Sequence, residues 1–357
     1  MFTKDQSISL DYAKALGIIS VVIGHYNLTP FSIPHPYYFH MPLFFFIGGM
    51  LINTKKSFTD VFRSIFRKHI IYIALTYVFI GIITKILILS IGANLSDPLK
   101  GGVSQILFAM YHTDFHVNSL FLVAWFLLAY ALSSIVSFSI IRMLSGVSHA
   151  SYLILISSVS AGYLGMVHFP EIFNESKNVI FNYISQAFSG AMFMMLGYLL
   201  KDFIFKYQNI YGMLFSLIVV SYLINSGLVQ PMTMSWSSYP GGFASSTINA
   251  LLCIYLVFSA STMLQKTSGN CLFLYIGRSS KTIMSYHLLV LYLIDLFLSN
   301  YGLVDTHQVN ALNHFYNPYV WPAYFILPLV LLPLANQAYS KCRSIISHKL
   351  FSVKSFV

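Results

Sequence analysis

Eight ionisable residues stand inside the apolar stretches of this chain: Asp11, Lys14, His25, His40, Lys85, Lys281, His287 and Asp295. A charge in such surroundings costs several kcal/mol unless it is paired or hydrated, so each is a candidate for chemistry. Lys14 and His25 are eleven residues apart, which on a helix brings them to nearly the same azimuth after three turns, with Asp11 on the same face. Their axial separation is about 16 Å. That suits a long ligand with anionic phosphates at one end and a reactive group at the other. The plainer alternative has Lys14 snorkelling to headgroups and pairing with Asp11, with His25 at the far interface. His40 opens the segment YYFHMPLFFFIGGM at about the level of His25, so two imidazoles could converge there. In that segment Pro42 removes a backbone donor, and Gly48 and Gly49 permit close helix packing. His287 lies deep in FLYIGRSSKTIMSYHLLVLYLI, where an imidazole needs a partner or water, and an interhelical hydrogen bond is its simplest role. Arg278 and Lys281 mark the basic entrance to that stretch, suited to lipid headgroups or a phosphate. His112 and His116 have the i, i+4 spacing of metal ligands with Asp114 between them, but no third ligand stands at a telling distance, so no metal is expected.

The elements that must position these residues follow from composition. Of 357 residues 57% are apolar and 8% charged, with a mean hydropathy of +0.72, too little polar surface for a water-soluble globule. Runs of about 20 apolar residues divide the chain into ten expected spans, at 9–28, 38–52, 70–91, 119–141, 152–168, 179–200, 210–228, 243–264, 272–298 and 319–339. No repeat and no linker rich in Pro, Gly and Ser interrupts them, so residues 1–357 read as a single all-α integral membrane domain. The first span, carrying Asp11 and Lys14 and leading into Pro30, Pro34 and Pro36, does not read as a cleaved signal peptide. Residues 101–118 are expected to form a short interfacial helix.

Positive charge is retained in the cytoplasm. The segment NTKKSFTDVFRSIFRKH, with Lys55, Lys56, Arg63, Arg67 and Lys68, therefore reads as an inner loop. Alternation then places both termini inside with most of the remaining Lys and Arg, and places Asp97, Asp114, Glu171, Glu175 and Asp305 outside. The formal charge of +10 is spread in short clusters between apolar runs, not in a nucleic-acid stripe. Anionic membrane lipids and a phosphate-bearing cofactor fit it better. Cys253, Cys271 and Cys342 offer no disulfide or zinc pattern.

Four segments in order, ISLDYAKALGIISVVIGH, FHMPLFFFIGGML, AWFLLAY around Trp125, and LYIGRSSKTIMSYHLL, resemble the signature segments of the membrane-bound acyltransferase-3 family, with the flavour of its fucose 4-O-acetylase-like branch. The resemblance implies an enzyme of the bacterial inner membrane that moves an acyl group, usually acetyl from cytoplasmic acetyl-CoA, to a hydroxyl of a glycan or glycolipid. The family's Arg, ten residues, then His is Lys14 to His25 here, which keeps the charge but loses the bidentate fork. Its Ser-Gly is Gly48-Gly49. Its basic pair is matched by Arg67 and Lys68, without the Pro that often follows. On this reading His25 is the general base, Asp11 holds Lys14, and His287 orients the acceptor or the carbonyl, with an acetyl-enzyme on His25 or His287 as the variant. Lys14, Arg67, Lys68, Arg278 and Lys281 meet the phosphates of the donor, and His40 and Trp125 meet the acceptor. A transporter or flippase of a lipid-linked glycan is the competing reading, although neither inverted repeats nor paired broken helices are evident.

Overall fold

The computed structural model describes residues 2–26, 35–267 and 271–354, and among them the secondary structure is helical throughout, with no β-strand. In chain order the helices are α1 (Lys4–Gly24), α2 (His40–Met50), α3 (Phe58–Ile65), α4 (Ile71–Ile91), α5 (Val103–His112), α6 (Ala124–Leu144) and α7 (Ala150–Tyr163). They continue with α8 (Phe169–Ser176), α9 (Val179–Lys206), α10 (Ile210–Asn225), α11 (Phe243–Thr267), α12 (Cys271–Arg278), α13 (Ser280–Ser299) and α14 (Trp321–Lys354). Their starts have local causes. Thr3 and Gln6 make a reciprocal capping box on α1, Ser57 caps α3, Asn178 caps α9 and Asn209 caps α10.

Eight helical stretches are long and apolar enough to cross a membrane. Two are joined pairs, because π-helical turns at Phe66–Ile70 and Leu164–His168 carry α3 into α4 and α7 into α8. Their outward faces are bare hydrocarbon: Leu75, Phe79, Ile86 and Leu89 on α4 and Ile156 on α7 are all exposed, as are Phe215 and Ile218 on the shorter α10. Buried serines bind helices together from within, as hydroxyls of Ser133, Ser137 and Ser158 donate to carbonyl oxygens of α9 at 2.9, 3.3 and 3.1 Å. An apolar outer face, with the buried hydroxyls bonded to neighbouring helices, is the pattern of a multi-pass membrane protein.

Four sequence expectations change. Residues 38–52 do not form a full span. They give the 11-residue α2, about 16 Å long, and every residue of it is buried. Pro42 neither kinks nor breaks it, because it falls in the first turn, where its missing N–H has no intrahelical acceptor. Residues 210–228 give the 16-residue α10, also short of a span. The expected single span at 272–298 is two helices broken at Ser279, whose hydroxyl accepts a hydrogen bond from Asn336 on α14 at 3.1 Å. The expected inner loop around Arg63, Arg67 and Lys68 is mostly helix, with the basic triplet Arg67, Lys68 and His69 on the π-turn. The extra residue of that turn rotates the triplet against the rest of α4. The end of the expected first span, at 27–28, lies outside the described residues. A helix does occupy 103–112 in the stretch expected to be interfacial.

Helix α9 is the axis of the core, with α2, α6 and α7 packed around it. The α2 contact is backbone to backbone: a Cβ on Gly49 would stand 1.7 Å from the Met194 carbonyl oxygen, and one on Gly197 would stand 2.0 Å from that of Phe46. Helix α1 meets α12 with similar intimacy, since a Cβ on Gly277 would lie 1.9 Å from the Asp11 oxygen. The two glycine contacts set where His40 and Asp11 stand.

Candidate active site

Helix α1 ends at His25, and α13 carries His287 against it, with ring centroids 5.0 Å apart and planes inclined at 46°. His40, on the first residue of α2, and Trp125, near the start of α6, are almost wholly buried beside them. His25, His40 and Trp125 line one cavity of about 60 Å³, closed by Tyr37, Leu122 and the segment Met232–Ser235. The structure thus brings together the two imidazoles of the first and second segments with the tryptophan of the third.

The tautomers of two of these rings are set by their acceptors. His40 Nδ1 lies 2.6 Å from the Pro36 carbonyl oxygen, and His287 Nδ1 lies 2.8 and 3.0 Å from those of Met284 and Ile283. A carbonyl only accepts, so both Nδ1 atoms carry the proton and both Nε2 atoms present lone pairs. His287 Nε2 is buried with no hydrogen-bond partner, the state of a base awaiting a donor.

The basic residues gather elsewhere. Asp11 pairs with Lys14 at 2.6 Å and with Arg278 Nε at 3.0 Å, so one carboxylate holds two cations and leaves a net positive charge. Lys281 Nζ donates to the Lys68 carbonyl oxygen at 2.5 Å and sits 3.5 Å above the Tyr72 ring. The Tyr72 hydroxyl donates to Ser285 Oγ at 2.9 Å, tying the start of α4 to α13. Arg67 and Lys68 are exposed on that turn. Lys14 does not line the cavity at His25, so the two residues share a helix without sharing a chamber. Arg142 donates to the Thr54 carbonyl oxygen, and Lys55 and Lys201 flank an open groove of about 470 Å³. Lys85, a candidate by its place in an apolar run, pairs with Asp97 at 3.5 Å.

Two groups escaped the sequence reading. His314, buried in the connection before α14, places Nδ1 2.7 Å from Asp295 Oδ2. A carboxylate deep in a span implies a partner, but nothing in the sequence around His314 marks it. The second is a buried amide network over the cavity. Asn182 and Gln186 of α9 donate to Asp114 Oδ2 at 3.0 and 2.6 Å and to the Ser235 carbonyl oxygen at 2.9 and 2.8 Å. Asp114 has a left-handed backbone, φ 46°, and burial pushes its carboxyl up to about 7 against those hydrogen bonds. Its neighbour His116 stacks on Trp236 with centroids 4.4 Å apart, and Nδ1 donates to the carbonyls of Thr113 and Asp114. His112 lies against Phe108. Among the described residues no three His, Cys, Asp or Glu side chains converge as a metal site would require.

No curated protein and no solved structure matches the chain. A family model described as an acyltransferase domain matches residues 7–335, a range that holds all but the first turn of α1, the helices through α13, the histidine cavity and the basic cluster. The chain belongs to the acyltransferase-3 family and is a multi-pass membrane acyltransferase.

Proposed function

We propose that the protein moves acetyl from cytoplasmic acetyl-CoA to a sugar hydroxyl of a lipid-linked or cell-surface glycan in the bacterial inner membrane, with His25 as general base. The observation that carries this reading is the separation along α1 of two unlike ends. At one end Lys14 and Arg278 share Asp11, near a turn bearing Arg67, Lys68 and the Lys281 contact. At the other, His25 lines a cavity with His40 and Trp125. The basic end, with both termini, faces the cytoplasm, where charge retention puts it and where an anionic thioester donor is available. The histidine end faces outward and takes the acceptor.

The chemistry follows from the residues. His25 takes the proton of the acceptor hydroxyl as its oxygen attacks the thioester carbonyl, and returns it to the departing thiolate sulfur. An imidazole nitrogen can both accept and release a proton, so one ring can do both. His287 abuts His25 and offers an unpartnered Nε2, which steadies the base or accepts a hydrogen bond from the acceptor. His40 and Trp125 form the wall against which the acceptor hydroxyl end rests. Arg278, Lys281, Arg67 and Lys68 meet the donor phosphates, and Asp11 fixes Lys14 and Arg278 side by side so that their charge is presented together.

Protein reconstituted in proteoliposomes with labelled acetyl-CoA outside the basic face and a lipid-linked glycan in the bilayer tests this. Label should pass to the glycan as an alkali-labile ester. Absence of any label on the glycan, with acetyl-CoA intact, overturns the assignment of donor and acceptor.

A further inference from the structure

The segment that closes the histidine cavity carries an exposed tryptophan to which the transfer chemistry gives no task. Residues 233–238 form a closed turn. Thr233 and Ser238 exchange both backbone hydrogen bonds, at 2.9 and 3.1 Å, and the Trp236 N–H donates to the Thr233 carbonyl oxygen at 3.1 Å. One side of this segment belongs to the cavity, since Met232, Met234 and Ser235 line it. The Met232 N–H also donates to the carbonyl oxygen of Tyr37, another wall residue, at 3.1 Å. Trp236 stands one Cα–Cα step, about 3.8 Å, beyond Ser235, and 41% of its surface is open.

The mounting of that indole is rigid. Asn182 and Gln186 hold the Ser235 carbonyl oxygen from α9, and the Ser237 hydroxyl donates to Asn182 Oδ1 at 2.5 Å. Behind the ring lies His116, with planes inclined at 32°. That imidazole is itself fixed, because Nδ1 donates to the Thr113 and Asp114 carbonyls at 2.9 Å each. Asp114 and Ser237 both adopt left-handed backbone, at φ 46° and 49°, a strain that persists in proteins chiefly where a site needs its geometry set in advance. A tryptophan that only anchors the chain at the lipid interface needs neither a locked turn nor a fixed backing ring. A ligand platform does, because a face held in place before binding loses little freedom on binding. The exposed indole offers a flat apolar surface beside a chamber lined by imidazoles. A sugar ring is its chemical complement, with a C–H face to lie on the indole and hydroxyls around the rim to reach the polar groups.

We propose that Trp236 is an acceptor-binding residue on which a sugar ring of the acceptor stacks beside the histidine cavity, an inference that rests on the sugar-acceptor reading above. His116 backs the indole and touches no reactant, so it is a positioning residue, as are Asn182 and Gln186 through their hold on Ser235.

Full-length wild type, Trp236→Ala, Trp236→Phe, His116→Ala and Tyr319→Ala in lipid nanodiscs test this by two readouts. Tyr319 is an exposed aromatic before α14 that lines no part of the cavity, and its variant is the control for a general interfacial effect. One readout is acetyl transfer to the lipid-linked glycan, with kcat and acceptor KM taken separately. The other, independent of turnover, is fluorine NMR of protein labelled with fluorotryptophan. The chain has three tryptophans, and the Trp236 resonance is the one absent from Trp236→Phe. It is followed as the glycan and the methyl glycosides of glucose, fucose and N-acetylglucosamine are added. Trp236→Ala should raise acceptor KM about tenfold with kcat and acetyl-CoA affinity unchanged. Trp236→Phe should recover most of that loss, His116→Ala should raise KM by less, and Tyr319→Ala should leave it alone. The wild-type Trp236 resonance should move on addition of sugar, a readout that decides the matter even if Trp236→Ala does not fold. A resonance that stays in place under the glycan and every glycoside overturns the proposal. So does an acceptor KM that Trp236→Ala leaves unchanged or that Tyr319→Ala raises equally, either of which reduces Trp236 to an interfacial anchor. A wild type whose Trp236 responds to sugar and which transfers no acetyl would overturn the transfer reading and leave the platform standing.

Discussion

The carbonyl oxygen of Pro36 and those of Ile283 and Met284 each hold an imidazole Nδ1, so His40 and His287 offer lone pairs through Nε2, whatever ligand arrives. His25 lines the cavity as His40 does, and it also lies against His287, so the proton transfer is proposed for it. The donor end makes a sharper prediction. The Lys14 ammonium is committed to Asp11 at 2.6 Å, whereas Arg278 spends Nε on Asp11 and is largely exposed beyond it, with further donors to present to a phosphate. Arg278→Ala should weaken acetyl-CoA binding by about tenfold or more, and Lys14→Ala by less, as measured by titration calorimetry in nanodiscs. The reverse order would place the phosphates at Lys14. The sequence could show that Asp11 and Lys14 stand together, as they do at 2.6 Å, because helical spacing is a local property. It could not show His314, which meets Asp295 from nineteen residues away through a connection without periodicity. Nor could it show that Arg278 joins Asp11, a contact spanning most of the chain.

Among the elements, composition overestimated α2 and α10, and of these α2 carries a site residue, His40. Its residues are apolar enough for a span, but helix length is set by where capping and turns stop it, and α2 stops after 11 residues. It spends its apolar character on α9 and not on lipid. The glycines in the sequence pointed to close packing without saying against what; the partner is the α9 backbone at Met194. Gly49→Ala should therefore destabilise the protein by about 3 kcal/mol or more, because the obstacle to the new Cβ is backbone that cannot rotate away. Gly146→Ala, where no atom lies within 4 Å of the added Cβ, should leave thermal unfolding in detergent unchanged. Equal stability of the two variants would contradict the α2–α9 contact. The break at Ser279 was equally hidden, since Arg278 and Lys281 read as the basic entrance to one span. The break places Arg278 at the end of α12, beside Asp11, and starts α13 with Lys281 turned to the π-turn.

Over the whole molecule the membrane character and the family were legible because both are written in bulk hydropathy and ordered motifs, whereas the cap over the histidine cavity was not. That cap hangs on Asp114, whose carboxyl sits near 7 when folded, against about 3.8 when exposed, because of burial. Between those values the folded state holds a proton that the unfolded state has released, so stability should fall as pH rises from about 4 to about 7 and level off above. Asp114→Asn keeps an acceptor for Asn182 and Gln186 and should flatten that slope in unfolding temperature against pH. An unaltered slope would assign the dependence to other groups. The central claim concerns the other face of the same cavity, that His25 is the base of an acyl transfer fed from the basic end. The most direct measurement compares wild type and His25→Ala in the same bilayer, reading acetyl transfer to the glycan together with acetyl-CoA affinity. A fall in turnover of about a hundredfold or more with donor affinity preserved is the predicted result. Equal transfer by both proteins would contradict it.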